Sequence, residues 1–338
     1  MKLTAEQFIE RPPKSLPPLT VIFGAEPLGA LEASDSFRDI AKKTGYVERE
    51  VFTAESGFDW DSLLAASNAL SLFASLRFVE IRIPTGKPGK EGGQAIADYC
   101  ARLPDDTITL ITLPEIDWQG KKNKWFIALE SAATMIEAMP VERAHLPRWL
   151  GARLARQDQR ANDDALEYLA DRVEGNLLAA QQEIKKLALL CPPGEITLAV
   201  LEDSVANVSR FNPFQLVSAI HDGADKDKAA RISRMLDGLN AEGEAPPLIL
   251  WVLVNELRAL MRSRGMTKSG YVNPGKAREL ERTARRHTPD SLAKLNMLAA
   301  KVDRMIKGLD SNNPWDALFQ LACGIAGVRA GLRTWQSG

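Results

Sequence analysis

Apolar positions change their spacing at Pro140. Before it, short apolar runs alternate with helix-length amphipathic stretches. "LTVIFG" (Leu19 to Gly24) predicts a buried strand, and Leu31 to Thr44 predicts a helix ending near Gly45. "EREVFTA" predicts a second strand, Asp59 to about Phe73 a helix, and "RFVEIRI" a strand by its period of two. "TGKPGKEGG" predicts a flexible turn, "QAIADYCARL" a helix and "TITLITL" a β-branched buried strand. Lys124 to Ala133 and "TMIEAMP" complete the series as helix and short strand. Strands alternating with helices predict a mostly parallel sheet covered on both faces.

After Pro140 the strand signals stop. His145 to Arg156, Asp163 to Val173, Leu177 to Leu190 and the shorter Thr197 to Ala206 predict a helical group. From Phe211 onward every pattern is helical. Asn212-Pro213 and Asn313-Pro314 each read as an N-cap followed by proline at the first helical position. "PPLILWVLVNELRALMRS" is apolar almost all round for three turns, which predicts the centre of a bundle. The expected class is therefore α/β plus all-α, with domains at 1–140, 141–210 and 211–338.

Composition adds limits. The chain has 338 residues, 45% apolar and 26% charged, with net charge -1. That balance supplies no long-range field for nucleic acid, so such binding must be local. Cys100, Cys191 and Cys323 lie far apart without a CxxC pair and fit a reducing compartment. The N-terminal residues lack an apolar signal region, and no 18-residue uncharged stretch occurs, so a cytoplasmic protein without a membrane partner is expected.

The most suggestive turn is "VIFGAEPLGAL", a strand running into glycines at the spacing of a phosphate-binding loop. A working loop needs backbone amides around phosphate, a lysine on the outer phosphates and a hydroxyl for magnesium. Gly24 and Gly29 are in place, but Ala30 and Leu31 occupy the lysine and hydroxyl positions. Pro27 removes an amide, and Glu26 and Glu32 repel phosphate. An inactive site and a coincidental turn both fit better than a live one. After "TITLIT" the chain gives Leu113-Pro114-Glu115 in place of a magnesium- and water-positioning acidic pair. The three histidines are isolated, with His221 read as a helix C-cap, and no metal-ligand spacing occurs. No catalytic residue, metal or cofactor is assigned.

On the helix predicted from Asp59, residues Leu63, Leu64, Ser67 and Leu70 share the broad face toward the sheet. If the helix persists, Leu72 falls opposite Leu63 with Phe73 beside it, leaving the pair free for a partner pocket. If it ends by Ser71, both tuck under the following strand. Two basic groups remain. Lys121, Lys122 and Lys124 precede a helix, while Arg278, Arg282 and Arg285 follow i, i+4, i+7 spacing, diluted by Glu279 and Glu281. Such faces are mostly solvated; phosphate contact is the alternative.

Long blocks of the chain resemble the delta-subunit family of the bacterial DNA polymerase III clamp loader: "FDWDSLLAASNALSLFASLRFVEIRIPTGKPGKEG", "LITLPEIDWQGKKNKWFIALE", "RAHLPRWLGARL", "RVEGNLLAAQQEIKKLALL", "SRFNPFQLVSAI" and "LNAEGEAPPLILWVLVNELRAL". The resemblance weakens past about residue 265. It implies an AAA+-like domain, a helical lid and a helical collar that assembles with gamma/tau and delta prime subunits. It also implies a chain that opens the beta sliding clamp for loading onto primed DNA, within the polymerase holoenzyme and without hydrolysing ATP. Leu178 then stands where motor subunits carry a sensor arginine, and no Ser-Arg-Cys motif occurs. In the family, a Leu-Phe pair at the end of this helix enters a clamp pocket, which assigns that role to Leu72 and Phe73, flanked by Ser71 and Ala74. An active AAA+ ATPase and a DNA-binding protein using the Arg278 face are the alternatives.

Overall fold

The computed structural model describes residues 1–62, 76–205, 209–222, 227–267 and 274–328. It divides into two packing units, Met1–Arg160 with Leu177–Gly194, and Ala161–Asn176 with Glu195–Gly338. The change from strand to helix at Pro140 and this division fall at different places.

In the first unit the sheet contains β1 (Lys2–Thr4), β2 (Leu19–Gly24), β3 (Glu48–Thr53), β4 (Arg77–Arg82), β5 (Thr107–Thr112) and β6 (Thr134–Ala138). Its order is β1-β6-β2-β5-β4-β3, and every pairing is parallel. The five strands read from the sequence are present; β1 adds to them, with Lys2 opposite Met135. Alternation assigns the two faces. Val21 and Phe23 join a core with Ile96, Tyr99, Phe126 and Leu129 from α3 (Gly89–Ala101) and α4 (Lys124–Ala132). Ile22 joins the opposite core with Phe8 of α1 (Ala5–Glu10) and Phe37 of α2 (Pro27–Lys43). Strand β3 forms an edge, and its Glu48, Arg49 and Glu50 are exposed, which discourages pairing with other chains.

Two local readings change. Helix α2 starts at Pro27 rather than Leu31, so Gly29, Ala30 and Leu31 lie in its opening turns. Helix α3 starts at Gly89, leaving only the first part of "TGKPGKEGG" as a turn. The mid-strand Glu80 has no solvent exposure and bonds Arg38, Arg49 and Arg82 at 2.8, 2.7 and 2.8 Å.

Beyond Pro140 the helices are α5 (Leu146–Ala155), α6 (Asp163–Val173), α7 (Leu177–Leu190), α8 (Leu198–Ser204), α9 (Gln215–His221), α10 (Lys228–Ala241), α11 (Pro246–Ser263), α12 (Pro274–Ala284), α13 (Pro289–Ile306) and α14 (Pro314–Ala326). Among the described residues the remaining strands there are the two-residue segments Gln159–Arg160 and Gly194–Glu195. In the second unit, α11 packs against α12, α13 and α14 and buries Leu253, Leu257 and Leu260. The central position predicted for α11 holds on that side, but Trp251 is 55% exposed, so one flank stays open. Asn313 caps α14 through its side-chain oxygen, 2.9 Å from the Trp315 amide. Asn212 makes the same bond to Phe214, but α9 begins only at Gln215.

His221 is not the ring C-cap expected. Its ring is buried, with Nε2 2.7 Å from Glu256 and Nδ1 2.8 Å from Thr283. The polar network joins α9, α11 and α12.

Candidate nucleotide turn and partner-binding helix

Strand β2 delivers Gly24 to the C-terminal edge of the sheet, where open α/β folds bind ligands. Gly24 has φ 140, and a Cβ there would overlap the Ala138 carbonyl, so only glycine fits. The Glu26 amide donates to that same carbonyl at 3.2 Å. Pro27 then opens α2 without an amide hydrogen, as proline at a first helical position should.

The helix N-terminus that would hold phosphate holds a carboxylate of this chain. Glu26 is the N-cap of α2, with Oε1 accepting from the Leu28 amide at 3.0 Å, and its backbone carbonyl accepts from Ala30 at 3.1 Å. Glu26 is 8% exposed. Burial raises its pKa most; the Leu28 amide and Arg153 pull it down, Glu32 pushes it up, and the net direction is upward. An incoming phosphate would meet an acceptor already bound to a helix amide.

The surrounding cleft of about 400 Å³ reinforces this charge. Its lining includes Glu6, Glu10, Glu26, Glu32, Glu137 and Glu142 against Arg153 and Arg156. Arg153 is already committed: Nη2 lies 2.6 Å from Glu32, Nη1 lies 2.6 Å from Gln181, and the guanidinium stacks 4.2 Å from the Trp149 ring centroid. Leu178, at the start of α7, is 43% exposed and offers no charge. The cleft has the size for a small molecule but not the sign for a triphosphate. Sequence reading registered Glu26 as repulsive but missed its cap. A Glu-Pro pair just before an apolar-periodic helix was the available signal.

Of the helix read from Asp59, only the start, up to Ser62, lies within the described residues. Asp59 Oδ1 accepts from the Asp61 and Ser62 amides at 3.0 and 3.4 Å, an N-cap. Trp60 is buried beside Phe58, their ring centroids 5.0 Å apart, and rests directly over Gly92 of α3. Leu72, Phe73, Ser71 and Ala74 lie outside the described residues. In the second unit, Arg278 and Arg282 are exposed on α12, and Arg285 is exposed in the turn after it. Arg282 donates to the His221 carbonyl at 3.0 Å. Among the described residues no cluster of His, Cys, Asp or Glu is arranged to hold a metal ion. Likewise none of their helices is long and apolar enough to cross a membrane.

A parallel sheet with a glycine turn after its β2 strand, followed by helices, defines an α/β plus all-α protein. Residues 21–139 match the family model for the DNA polymerase III delta subunit. The chain is 29% identical over 261 residues to the DNA polymerase III subunit delta of Escherichia coli, spanning 77% of this chain and 75% of that one. Against the Haemophilus influenzae subunit delta it is 26% identical over 263 residues, with the same coverage of 77% and 75%. A solved DNA clamp loader delta protein from Bacillus subtilis aligns over 95% of this chain and 98% of its own, at 20% identity and a TM-score of 0.47. The chain is thus similar to DNA polymerase III subunit delta over 77% of its length, and residues 21–139 carry the match to the delta-subunit model.

Proposed function

We propose that this chain binds the beta sliding clamp and opens it for loading onto primed DNA, without hydrolysing ATP itself. Leu72 and Phe73 form the plug, with Ser71 and Ala74 small enough to let it approach. Residues 1–140 serve as the AAA+-like domain, 141–210 as the lid, and 211–338 as the collar that joins gamma/tau and delta prime subunits in the cytoplasm. The observation that carries the non-motor half of this reading is the Glu26 carboxylate capping α2 where a phosphate would sit, beside Ala30 in place of a lysine. Delta-subunit similarity supports the clamp half.

Burying one leucine and one phenylalanine contributes roughly 3–6 kcal/mol before association costs. That amount holds a partner but does not tear a ring interface apart. Opening then comes from tighter binding to the sprung ring than to the closed one. ATP acts through neighbouring subunits by exposing or hiding this face. The test is titration of the isolated chain with ATP and, separately, with clamp. The proposal expects clamp binding and no ATP binding; measurable ATP affinity would restore the motor reading.

A further inference from the structure

The segment after β5 is braced from below and carries an indole on top. Ile116 is buried at 6% exposure, and a Cβ on Gly86 or Gly120 would press on it at 2.9 and 2.7 Å. The turn is closed by its own bonds. Asp117 Oδ1 accepts from the Gly120 amide at 2.6 Å and its carbonyl from Lys121 at 3.0 Å, while the Gln119 carbonyl accepts from Lys122 at 3.1 Å. Trp118 at its tip is nevertheless 72% exposed. The Lys122 ammonium lies 3.1 Å from the centroid of the Trp118 ring. Lys121 is shared between Glu137, at 3.2 Å, and the Phe23 ring. Lys124 opens α4 directly afterwards.

A rigid turn that spends buried contacts to present one large aromatic is an interaction surface. Its ammonium groups decide the partner's chemistry. An apolar protein patch would leave them desolvated, whereas a base on the indole brings phosphates for them to neutralise. Duplex bases are already stacked on one another, so only an unpaired base has a face to offer. We propose that Trp118, Lys121, Lys122 and Lys124 form a contact for single-stranded nucleic acid, the indole stacking on an unpaired base and the lysines meeting flanking phosphates. The proposal rests on the primed-DNA part of the proposed function but uses residues other than the Leu-Phe pair, so clamp capture and single-strand binding fail separately.

The test is fluorescence anisotropy of a labelled oligothymidylate with the full chain, over a salt series. Trp118→Ala should weaken binding by about tenfold or more, and Trp118→Phe should recover most of the loss. Lys122→Ala and Lys124→Ala should each flatten the salt dependence by about 0.7 in log–log slope. An unlabelled duplex should compete poorly. No binding by the unaltered chain, equal binding by Trp118→Ala, or a duplex competing as well as the single strand would each overturn the assignment. Melting should be unchanged, given the exposure of Trp118. Were Trp118→Ala to melt early, the slopes of the lysine variants, which keep the indole, decide the matter.

Discussion

Glu80 offers the sharpest quantitative handle on the α/β unit. It is a carboxylate with no solvent exposure in the second strand from the sheet edge, and its charge is balanced by three guanidiniums arriving from α2, β3 and β4 itself. Burial alone would raise its pKa; hydrogen bonds from Arg38 and Arg82 and the charges of Arg38 and Arg49 outweigh burial and bring it down to about 2 from the ordinary 4.5. At about 1.4 kcal/mol per decade, that difference corresponds to about 3 kcal/mol of stability at neutral pH. Because solvent reaches Arg49 and Arg82, about 2–3 kcal/mol is the fairer figure. The folded pKa lies below the unfolded one. The contribution is therefore complete above pH 4.5 and drains away as pH falls toward about 2.

Glu80→Gln keeps the side-chain shape while leaving the three guanidiniums without their counter-charge. Urea unfolding at pH 7 should show a loss of about 2–3 kcal/mol in the transition of the α/β unit, with an unchanged slope. At pH 3 the two proteins should draw together. A variant as stable as the parent at pH 7, or a difference that stayed constant between pH 7 and pH 3, would refute the electrostatic account.

Other outcomes follow from the same contacts. Burial raises the pKa of the Glu26 carboxyl, so its ionisation opposes folding and stability is lost as pH rises through the raised value. Glu26→Gln, which keeps an oxygen for the Leu28 amide, should melt at the parent temperature or above at pH 7 without gaining ATP affinity; a clearly lower melting temperature would contradict this. Gly92→Ala should displace Trp60, whose indole nitrogen lies 2.7 Å from the added Cβ, costing about 1–3 kcal/mol and altering the near-UV circular dichroism; an unchanged spectrum and melt would count against the anchoring role. Burial pushes the Cys323 thiol up to about 12 and that of Cys100 to about 11. Alkylation of the native protein at pH 8, read by mass spectrometry, should therefore leave Cys323 for last; early Cys323 modification would show that the α14 core opens.

The strands were legible because each is a β-branched or alternating run whose burial follows from its own residues. β1 was not, since three residues carry no period and its place depends on pairing with β6. The start of α2 was hidden by glutamate and proline, residues that read as loop until Glu26 is seen to cap and Pro27 to open the helix. Glu80 looked like an ordinary polar position of an alternating strand, because no local pattern reveals that arginines from three elements converge on it. In α11 the run of apolar residues overstated burial: Trp251 and Leu248 face outward, and periodicity cannot separate a core flank from an open one. The missing lysine of the glycine turn was legible from residue identity alone. The Glu26 cap on the following helix was not, because it depends on where the side chain folds back.

The most direct test of the central claim is capture of the beta sliding clamp by the unaltered chain beside Leu72→Ala/Phe73→Ala, measured with helicity and melting of both. Clamp binding by the parent and its loss in the double variant, with folding intact, is the predicted result. Equal binding by both proteins would move the contact away from the Leu-Phe pair. A parent chain that ignored the clamp would contradict the proposed function itself.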